Sequence, residues 1–479
     1  MKYIRLMPLF ACFILPWGLH RIQAQSGTSA GMALHQVFLD NISGTINADS
    51  PVTATFTIRD TVSGTRDRYR CLVTWRGSTS ILYDKKSMKI AFINDETDSE
   101  RDVLLPGLGR TDSKINLDAA SVDRSHIRNR IAMELFNSYS RLPYATETDG
   151  RHGITGTYVQ VWTDGRYSGL YCMTDRVNRK LLGVKKTKDS QVRGVIYKCK
   201  SFGSGSFLKT DGTQPQSGDS SWNAWEVKYP NQYPAHVWDP LCQLMDVPWD
   251  TTPDQDYPDL VRQHFYWDNL VDLYLLTLVA GVADMGYKNS YLSLQDFTAA
   301  QRFIITPWDM DHSFGATYCG VPLIDVNTLM GQSNWSKVIP FRRLLQNPDL
   351  GFVTALANRW AQLRDGVLSV NNVSELIYGY ADLFDSTGAW QNERDTWNYN
   401  PVTLGETARD EADYMVQWYS ANHQRLDELL TPYIIGVISP VQDDASNPVY
   451  DMQGRYVGQY PYFNSKGLYI QGNKKTLVR

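Results

Sequence analysis

The chain has 479 residues, more than one hydrophobic core usually accommodates, so we expect two or three domains. Its composition, 42% hydrophobic and 20% charged, is that of a folded globular protein and excludes a largely disordered chain. The net charge of −4 argues against a nucleic-acid partner and against binding to an anionic membrane surface.

Residues 1–25 have the pattern of a secretory signal peptide. A basic start with Lys2 and Arg5 precedes an apolar stretch from Leu6 to Leu19, and small residues follow it. The apolar stretch is too short, and too interrupted by prolines, to favour a membrane anchor. We therefore predict an exported protein, secreted or held at the cell surface, with no membrane span in the mature chain.

The first half of the remaining chain is predicted to be rich in β-strands. A small β segment over residues 26–65 includes the alternating run Val52–Ile58. Further strands are predicted at Tyr69–Trp75, Ser87–Ile93 and Val103–Leu105. Together these strands indicate a sheet-based unit before any helix begins.

A Gly/Ser turn with cations lies between two of these strands. Arg76 is followed by Gly77-Ser78-Thr79-Ser80, and Lys85 and Lys86 come shortly after. Such a turn can bind phosphate through backbone N–H groups and through the charges of the lysines. An ordinary polar hairpin has the same pattern, and the local pattern alone favours that interpretation.

One helix and one hairpin interrupt and continue the β region. Val122–Tyr139 predicts an amphipathic helix that Asp123 or Ser125 can cap, with Arg128 and Asn129 beside its apolar face. The hairpin has strands Thr157–Thr163 and Tyr167–Met173 around Asp164-Gly165, followed by Asp175 and then by a strand at Val195–Lys198. The polar residues of the helix are either solvated or help to order a phosphate.

The second half is predicted to be mainly helical, beginning with an apolar helix from Leu260 to Val282. Asp284 and Asn289 follow it, and the predicted strands Ser290–Leu294 and Arg302–Ile305 come next. The second strand is followed by Pro307-Trp308-Asp309-Met310-Asp311. Two carboxylates at the end of a buried strand are costly unless a cation neutralises them, and Mg²⁺ is the hard cation that oxygen ligands suit.

An Asp and an Asn five residues apart, followed by a strand and then by another Asp, are typical of a kinase catalytic loop and metal loop. Taken singly, each of these residues is more simply a turn or capping residue. Their order and spacing together favour a functional site. Further helices are predicted over 339–345, 351–364, 373–384 and 406–430, and residues 436–479 show short β runs between turns.

Four motifs in the same order resemble those of the CotH kinase family, the spore-coat protein H-like atypical kinases. The resemblance covers roughly residues 65 to 430. The motifs are Arg76-Gly77-Ser78-Thr79-Ser80 with Lys85-Lys86-Ser87, Arg128-Asn129 with Glu134-Leu135, the hairpin Asp164–Tyr171, and Pro307–Asp311 followed by Ser313-Phe314-Gly315. The last of these is the most specific match.

The resemblance implies an α+β fold of the atypical protein-kinase type, with a β-rich N-lobe and a helical C-lobe over residues 66–432. It implies transfer of the γ-phosphoryl group of ATP to Ser or Thr hydroxyls of a surface or secreted protein, with Mg²⁺ or Mn²⁺. Asp284 resembles the catalytic base and Asn289 a metal ligand. Asp309 resembles the metal-binding Asp, with Asp311 as its rival.

Four further residues are predicted to bind the nucleotide. Lys86 is the predicted phosphate-contacting lysine, and Arg76 and Arg128 have secondary roles. Asp175, which stands where the family usually has Glu, is placed with them. No eukaryotic-type glycine-rich loop or His-Arg-Asp sequence precedes Asp284, so the site is atypical.

Two alternatives remain open from the sequence. The chain is either this kinase or a non-catalytic surface module with the same fold that binds a glycan or a protein. The segment 436–479 resembles the C-terminal sorting domains of type IX secretion, which agrees with the expected surface location.

Overall fold

The computed structural model describes residues 32–144, 149–189, 191–200, 208, 212–282, 285–286, 288–297, 302–317, 338–397 and 404–434, together with the backbone of four strands between 448 and 478. The predicted signal peptide and Asp284 lie outside these residues. Of the helices that the structure describes, none is long and apolar enough to cross a membrane. Mixed α and β content, as predicted, is confirmed.

The first part of the described chain contains nine strands. In order they are β1 Leu34–Asp40, β2 Val52–Arg59, β3 Arg66–Arg76, β4 Ser87–Phe92, β5 Val103–Leu104, β6 Thr111–Asp112, β7 Lys114–Asp118, β8 Gly156–Thr163 and β9 Arg166–Thr174. Seven of them close into a barrel in the order β1-β2-β3-β4-β7-β9-β8, and β5 pairs with β6. Only the pair that closes this barrel, β1 with β8, is parallel.

The barrel differs from the prediction in one respect. The residues predicted as a separate β segment supply β1 and β2, which pair with β8 and β3 of the same barrel. The alternation of apolar residues predicts most of these strands, though not β7, and it carries no information about which strands pair. The interior is apolar and includes Val37, Phe56 and Val73.

A five-stranded sheet and nine helices make up most of the rest of the described chain. The strands are β10 Val195–Cys199, β11 Ser221–Trp222, β12 Trp225–Tyr229, β13 Ser290–Leu294 and β14 Phe303–Pro307, in the spatial order β11-β12-β10-β13-β14. The helices are α1 Arg128–Tyr139, α2 Asp239–Met245, α3 Tyr257–His264, α4 Trp267–Ala280, α5 Phe341–Gln346, α6 Phe352–Leu363, α7 Val370–Ser386, α8 Ala389–Trp397 and α9 Ala408–Leu430. One apolar core joins α1, this sheet and the helices.

The predicted C-terminal β segment contains four strands in the described backbone. They are β15 Pro448–Asp451, β16 Tyr456–Gln459, β17 Gly467–Gln471 and β18 Lys474–Val478, which form a sheet in the order β16-β15-β17-β18. All the pairs are antiparallel. The resemblance of this segment to a sorting domain stays a prediction.

Two helix predictions were wrong at their boundaries. The predicted helix from Val122 begins only at Arg128, because the Asp123 carboxylate accepts hydrogen bonds from the backbone N–H groups of Ser125 and Arg128 and holds a turn there. The predicted helix Leu260–Val282 is two helices. They are separated where Phe265 and the N–H of Tyr266 pair with the backbone of Phe303 in β14.

Side chains from elsewhere in the chain complete the edge strand β14. Asn269 of α4 accepts a hydrogen bond from Ile305 N (2.8 Å) and donates one to Ile305 O (3.1 Å). The same amide nitrogen lies 2.7 Å from His152 Nε2, and His152 Nδ1 lies 2.8 Å from Ser140 Oγ. His152 Nε2 also lies 3.2 Å from Ile305 O, so the imidazole packs against the same backbone group as Asn269. This cluster fixes the strand that leads to Asp309.

Another buried contact fastens α8 to the barrel. Lys85 and Glu393 are both fully buried, and their side chains form an ion pair at 2.6 Å. Lys85 also donates to Leu170 O (2.5 Å), and Glu393 accepts from Leu170 N (2.7 Å). Leu170 lies in β9 beyond the residues that pair with β7, so the two side chains bond the backbone groups of β9 there. Burial lowers the pKa of Lys85 and raises that of Glu393, whereas their contact acts in the opposite sense on both.

His152 gives the stability a pH dependence that can be measured. Burial lowers its pKa to about 4, below the ordinary value of 6.5. The unfolded chain therefore binds a proton that the folded chain does not, and the contribution of His152 to stability falls as the pH decreases from about 6.5 towards 4. We expect the contribution of His152 to the free energy of unfolding, measured with urea, to be about 2 kcal/mol smaller at pH 5 than at pH 7. A His152→Gln variant with an unchanged pH dependence would contradict this.

The Lys85–Glu393 pair makes a second stability prediction. Glu393→Leu leaves a buried lysine without its counter-ion and should lower the free energy of unfolding by about 3–5 kcal/mol. Asp382→Ala, which removes an exposed pair with Arg409, is the control and should cost about 1 kcal/mol or less. Adding Lys85→Met to Glu393→Leu should recover part of the loss. If the double variant is less stable than Glu393→Leu, the pair is not the cause.

Candidate functional site

A cavity of about 920 Å³ lies between the barrel, α1 and the five-stranded sheet. The end of β3 and the following Gly/Ser turn line one side of it. The open end of the hairpin formed by β13 and β14 lines another. Of the residues predicted from sequence, four line this cavity: Arg76, Asn289, Asp309 and Asp311.

Strand register brings the predicted oxygen ligands together. Ser290 pairs with Pro307, and the next N–H outward, that of Trp308, donates to the backbone O of Asn289 at 3.0 Å. Asn289 and Asp309 therefore lie at the same end of the hairpin. Both have left-handed backbones, with φ of 56° and 63°. Such conformations are strained for residues with a Cβ and often occur at functional sites.

The start of α1 holds the loop that follows Asp309. Asn129 Oδ1 accepts a hydrogen bond from Met310 N at 3.2 Å, and Arg128 Nε donates to Ser313 O at 3.0 Å. The guanidinium of Arg128 is fixed in turn by Asp123, with Nη1 to Oδ1 at 2.6 Å. The helix end is thus a rigid support for the loop that carries both carboxylates.

Three cations surround two aromatic rings beside Asp309. The Arg76 guanidinium lies 5.6 Å from the centroid of the Trp308 ring. The Lys198 ammonium lies 5.8 Å from the same ring and 5.9 Å from that of Tyr291, and Arg176 also lines the cavity. Burial lowers the pKa values of Lys198 and Arg176, and the charge of Arg76 lowers both further.

The cavity is more basic than the protein as a whole. Ten Lys or Arg side chains and seven Asp or Glu side chains line it, although the chain carries a net charge of −4. Some of the cations are neutralised locally, as in the pair of Lys228 with Glu226 and that of Lys114 with Glu100. The remaining positive charge is suited to an anionic ligand.

Three predicted nucleotide-binding residues are directed elsewhere. Lys86 donates to Tyr83 O at 2.7 Å and lies 5.1 Å from the Trp75 ring, so its ammonium group is bound at the back of its own turn. Arg128 and Asp175 do not belong to the cavity lining either. The fourth, Arg76, lines the cavity. Asp284, the predicted catalytic base, lies outside the described part of the chain, so its role stays a prediction.

Asp175 is part of a structural network below the cavity. It is fully buried, and its carboxylate accepts hydrogen bonds from Arg110 Nε at 2.9 Å and from Thr155 N at 2.8 Å. Burial raises the pKa of Asp175, and Arg110 lowers it. These contacts join the end of β9 to neighbouring loops. They give the Asp175 carboxylate a structural role that needs no ligand.

The donor set at the hairpin fits a hard cation. Asn289, Asp309 and Asp311 offer amide and carboxylate oxygens, the ligands that Mg²⁺ and Mn²⁺ prefer, and phosphate oxygens and water usually complete such a shell. In the described ranges, no three His, Cys, Asp or Glu side chains come close enough to hold a metal ion by themselves.

Sequence reasoning missed Lys198 and Arg176 as site residues, and it named Asn129 in a motif without giving it a role. Lys198 had a usable signal, because a lysine in the middle of the apolar strand Val195–Cys199 must lie on a polar or functional face. Arg176 gave no local signal, since it follows a strand like many exposed arginines.

Comparison with known proteins gives one match. The family model described as CotH kinase protein matches residues 73–426, about three quarters of the chain. No match is found among curated proteins. The matched range contains the barrel strands from the end of β3 onward, α1 and the β13–β14 hairpin with its carboxylates. The chain therefore belongs to the CotH kinase family.

Proposed function

We propose that the protein is an exported atypical kinase that transfers the γ-phosphoryl group of ATP to Ser or Thr hydroxyls of a surface or secreted protein. The observation that carries this proposal is that Asn289, Asp309 and Asp311 line one cavity with Arg76, which comes from a distant part of the chain. Family membership supports the reaction class, and the basic character of the cavity supports an anionic substrate.

In this proposal each residue has a role that its chemistry permits. Asp309, Asp311 and Asn289 hold Mg²⁺ or Mn²⁺, which when bound offsets the charge of the phosphates. Asp284 accepts the proton of the acceptor hydroxyl as its oxygen bonds to the γ-phosphorus and the bond from phosphorus to the ADP oxygen breaks. Arg76 stabilises the negative charge on the transferred group.

The same proposal gives the fold a two-lobe interpretation. The barrel would correspond to the β-rich N-lobe and the helices after β14 to the C-lobe. The position of the cavity between the barrel and the five-stranded sheet supports this correspondence.

The decisive experiment measures labelled phosphate transferred from ATP, with Mg²⁺ or Mn²⁺ and with chelator. Dephosphorylated casein and the protein itself serve as acceptors. We expect Asp309→Asn to lose about 100-fold or more of the rate, because it removes one charge from the metal site without changing its shape. The control Asp149→Asn changes an exposed carboxylate outside the cavity and should keep the wild-type rate.

Equal rates for wild type and Asp309→Asn would refute the site. No transfer by the wild-type protein with either metal would favour the alternative, a non-catalytic surface module. That module should bind its glycan or protein ligand without ATP and independently of Asp309.

Arg128 allows a second kinetic test, because its contacts hold the loop after Asp309 and do not reach the cavity. Arg128→Lys cannot bind both Ser313 O and Asp123, so the carboxylates lose their support. We expect kcat to fall about 10-fold while KM for ATP stays within about 2-fold. A raised KM with unchanged kcat would instead assign Arg128 to the nucleotide.

A further inference from the structure

We propose that Lys198, supported by Arg176, is the lysine that binds the triphosphate in this cavity, and that neither lysine of the Lys85-Lys86 pair does so. The inference rests on the proposed function, since it assigns a residue to the nucleotide of that reaction. It begins from the position of Lys198 on the same sheet as the metal-site hairpin.

Strand register places Lys198 beside the predicted metal ligands. Lys198 in β10 pairs with Tyr291 in β13, and paired residues of antiparallel strands lie on the same face of a sheet. Asn289 immediately precedes β13 and lines the same cavity as Lys198. Trp308, whose ring lies 5.8 Å from the Lys198 ammonium, is next to Asp309 in the chain. The charge of Asp309 acts on Lys198 and favours its protonated form.

Three cations that line the cavity have no carboxylate within ion-pair distance among the described residues. Lys198, Arg176 and Arg76 make no side-chain hydrogen bond or ion pair with the described part of the chain, apart from the ring contacts already given. Lys198 and Arg176 are nevertheless partly buried, and each feels the repulsion of Arg76. Like charges held together at this cost are typical of a site whose polyanionic ligand relieves the repulsion.

The two lysines of the sequence motif are already bound. Lys85 is fully buried, and its ammonium group bonds to Glu393 and to Leu170 O. Lys86 donates to Tyr83 O and does not line the cavity. For Lys85 to reach a phosphate, it would have to break a buried ion pair, which is strongly unfavourable. Lys198 needs no such rearrangement.

The test uses inorganic tripolyphosphate with Mg²⁺ as the probe, so that binding is measured without catalysis. Isothermal titration of the full chain should show Lys198→Ala binding the probe about 10- to 100-fold more weakly than wild type, from the loss of a charge-assisted hydrogen bond. Lys198→Arg keeps the charge and should recover most of the affinity. Lys186→Ala, an exposed lysine outside the cavity, is the matched control and should bind like wild type.

A second measurement separates a binding role from a structural one. In the ligand-free protein, Lys198→Ala removes like-charge repulsion, so its Tm should equal or exceed that of wild type. The rise in Tm that tripolyphosphate gives the wild-type protein should largely disappear in the variant. A lowered ligand-free Tm together with wild-type affinity would make Lys198 structural and would overturn the inference.

Other outcomes are also decisive. The inference is overturned if wild-type protein does not bind the probe, if Lys198→Ala binds it normally, or if Lys86→Ala loses as much affinity as Lys198→Ala. If probe binding depends on Lys198 but no phosphate is transferred to any acceptor, the inference holds and the proposed kinase function fails.

Discussion

The site depends on one backbone hydrogen bond at the open end of a hairpin, from Trp308 N to Asn289 O. This bond extends the pairing of β13 and β14 by one step and brings Asn289 to the same end as Asp309. Both residues then take left-handed backbones that a free loop would avoid. The two side chains proposed as metal ligands are therefore held by a strained but well-supported hairpin, and such strain is common at functional sites.

Distant parts of the chain keep that hairpin in place. Asn269 and His152 complete the outer edge of β14 at Ile305, and Arg128 and Asn129 hold the loop after Asp309. These four residues lie outside the hairpin, so the geometry of the hairpin depends on the packing of α1 and α4 against the sheet. This explains why buried polar side chains lie in otherwise apolar helices: each satisfies a backbone group that would be costly to leave unpaired.

Lys85 and Lys198 show how burial and ion pairing distinguish a structural cation from one that can bind a ligand. Lys85 has lost all contact with water, and Glu393 compensates it within an ion pair that also bonds β9. Lys198 is less buried; the charges of Asp309 and Glu226 favour its protonated form, and those of Lys228 and Arg76 oppose it. A compensated charge has no need of a ligand, whereas an uncompensated one in a cavity remains available to an anion.

The sequence by itself determined most of the strands, though not β7 or β12, and most of the helices, because apolar periodicity is local. Its motifs also predicted Arg76, Asn289, Asp309 and Asp311 as site residues, and these four line one cavity. Tertiary structure decided how the strands close into a barrel, since alternation does not encode pairing. It also decided which cation is available at the site. Lys86 and Lys198 are equally charged in the sequence, and only the contacts made after folding distinguish a lysine bound to its own turn from one that faces the cavity.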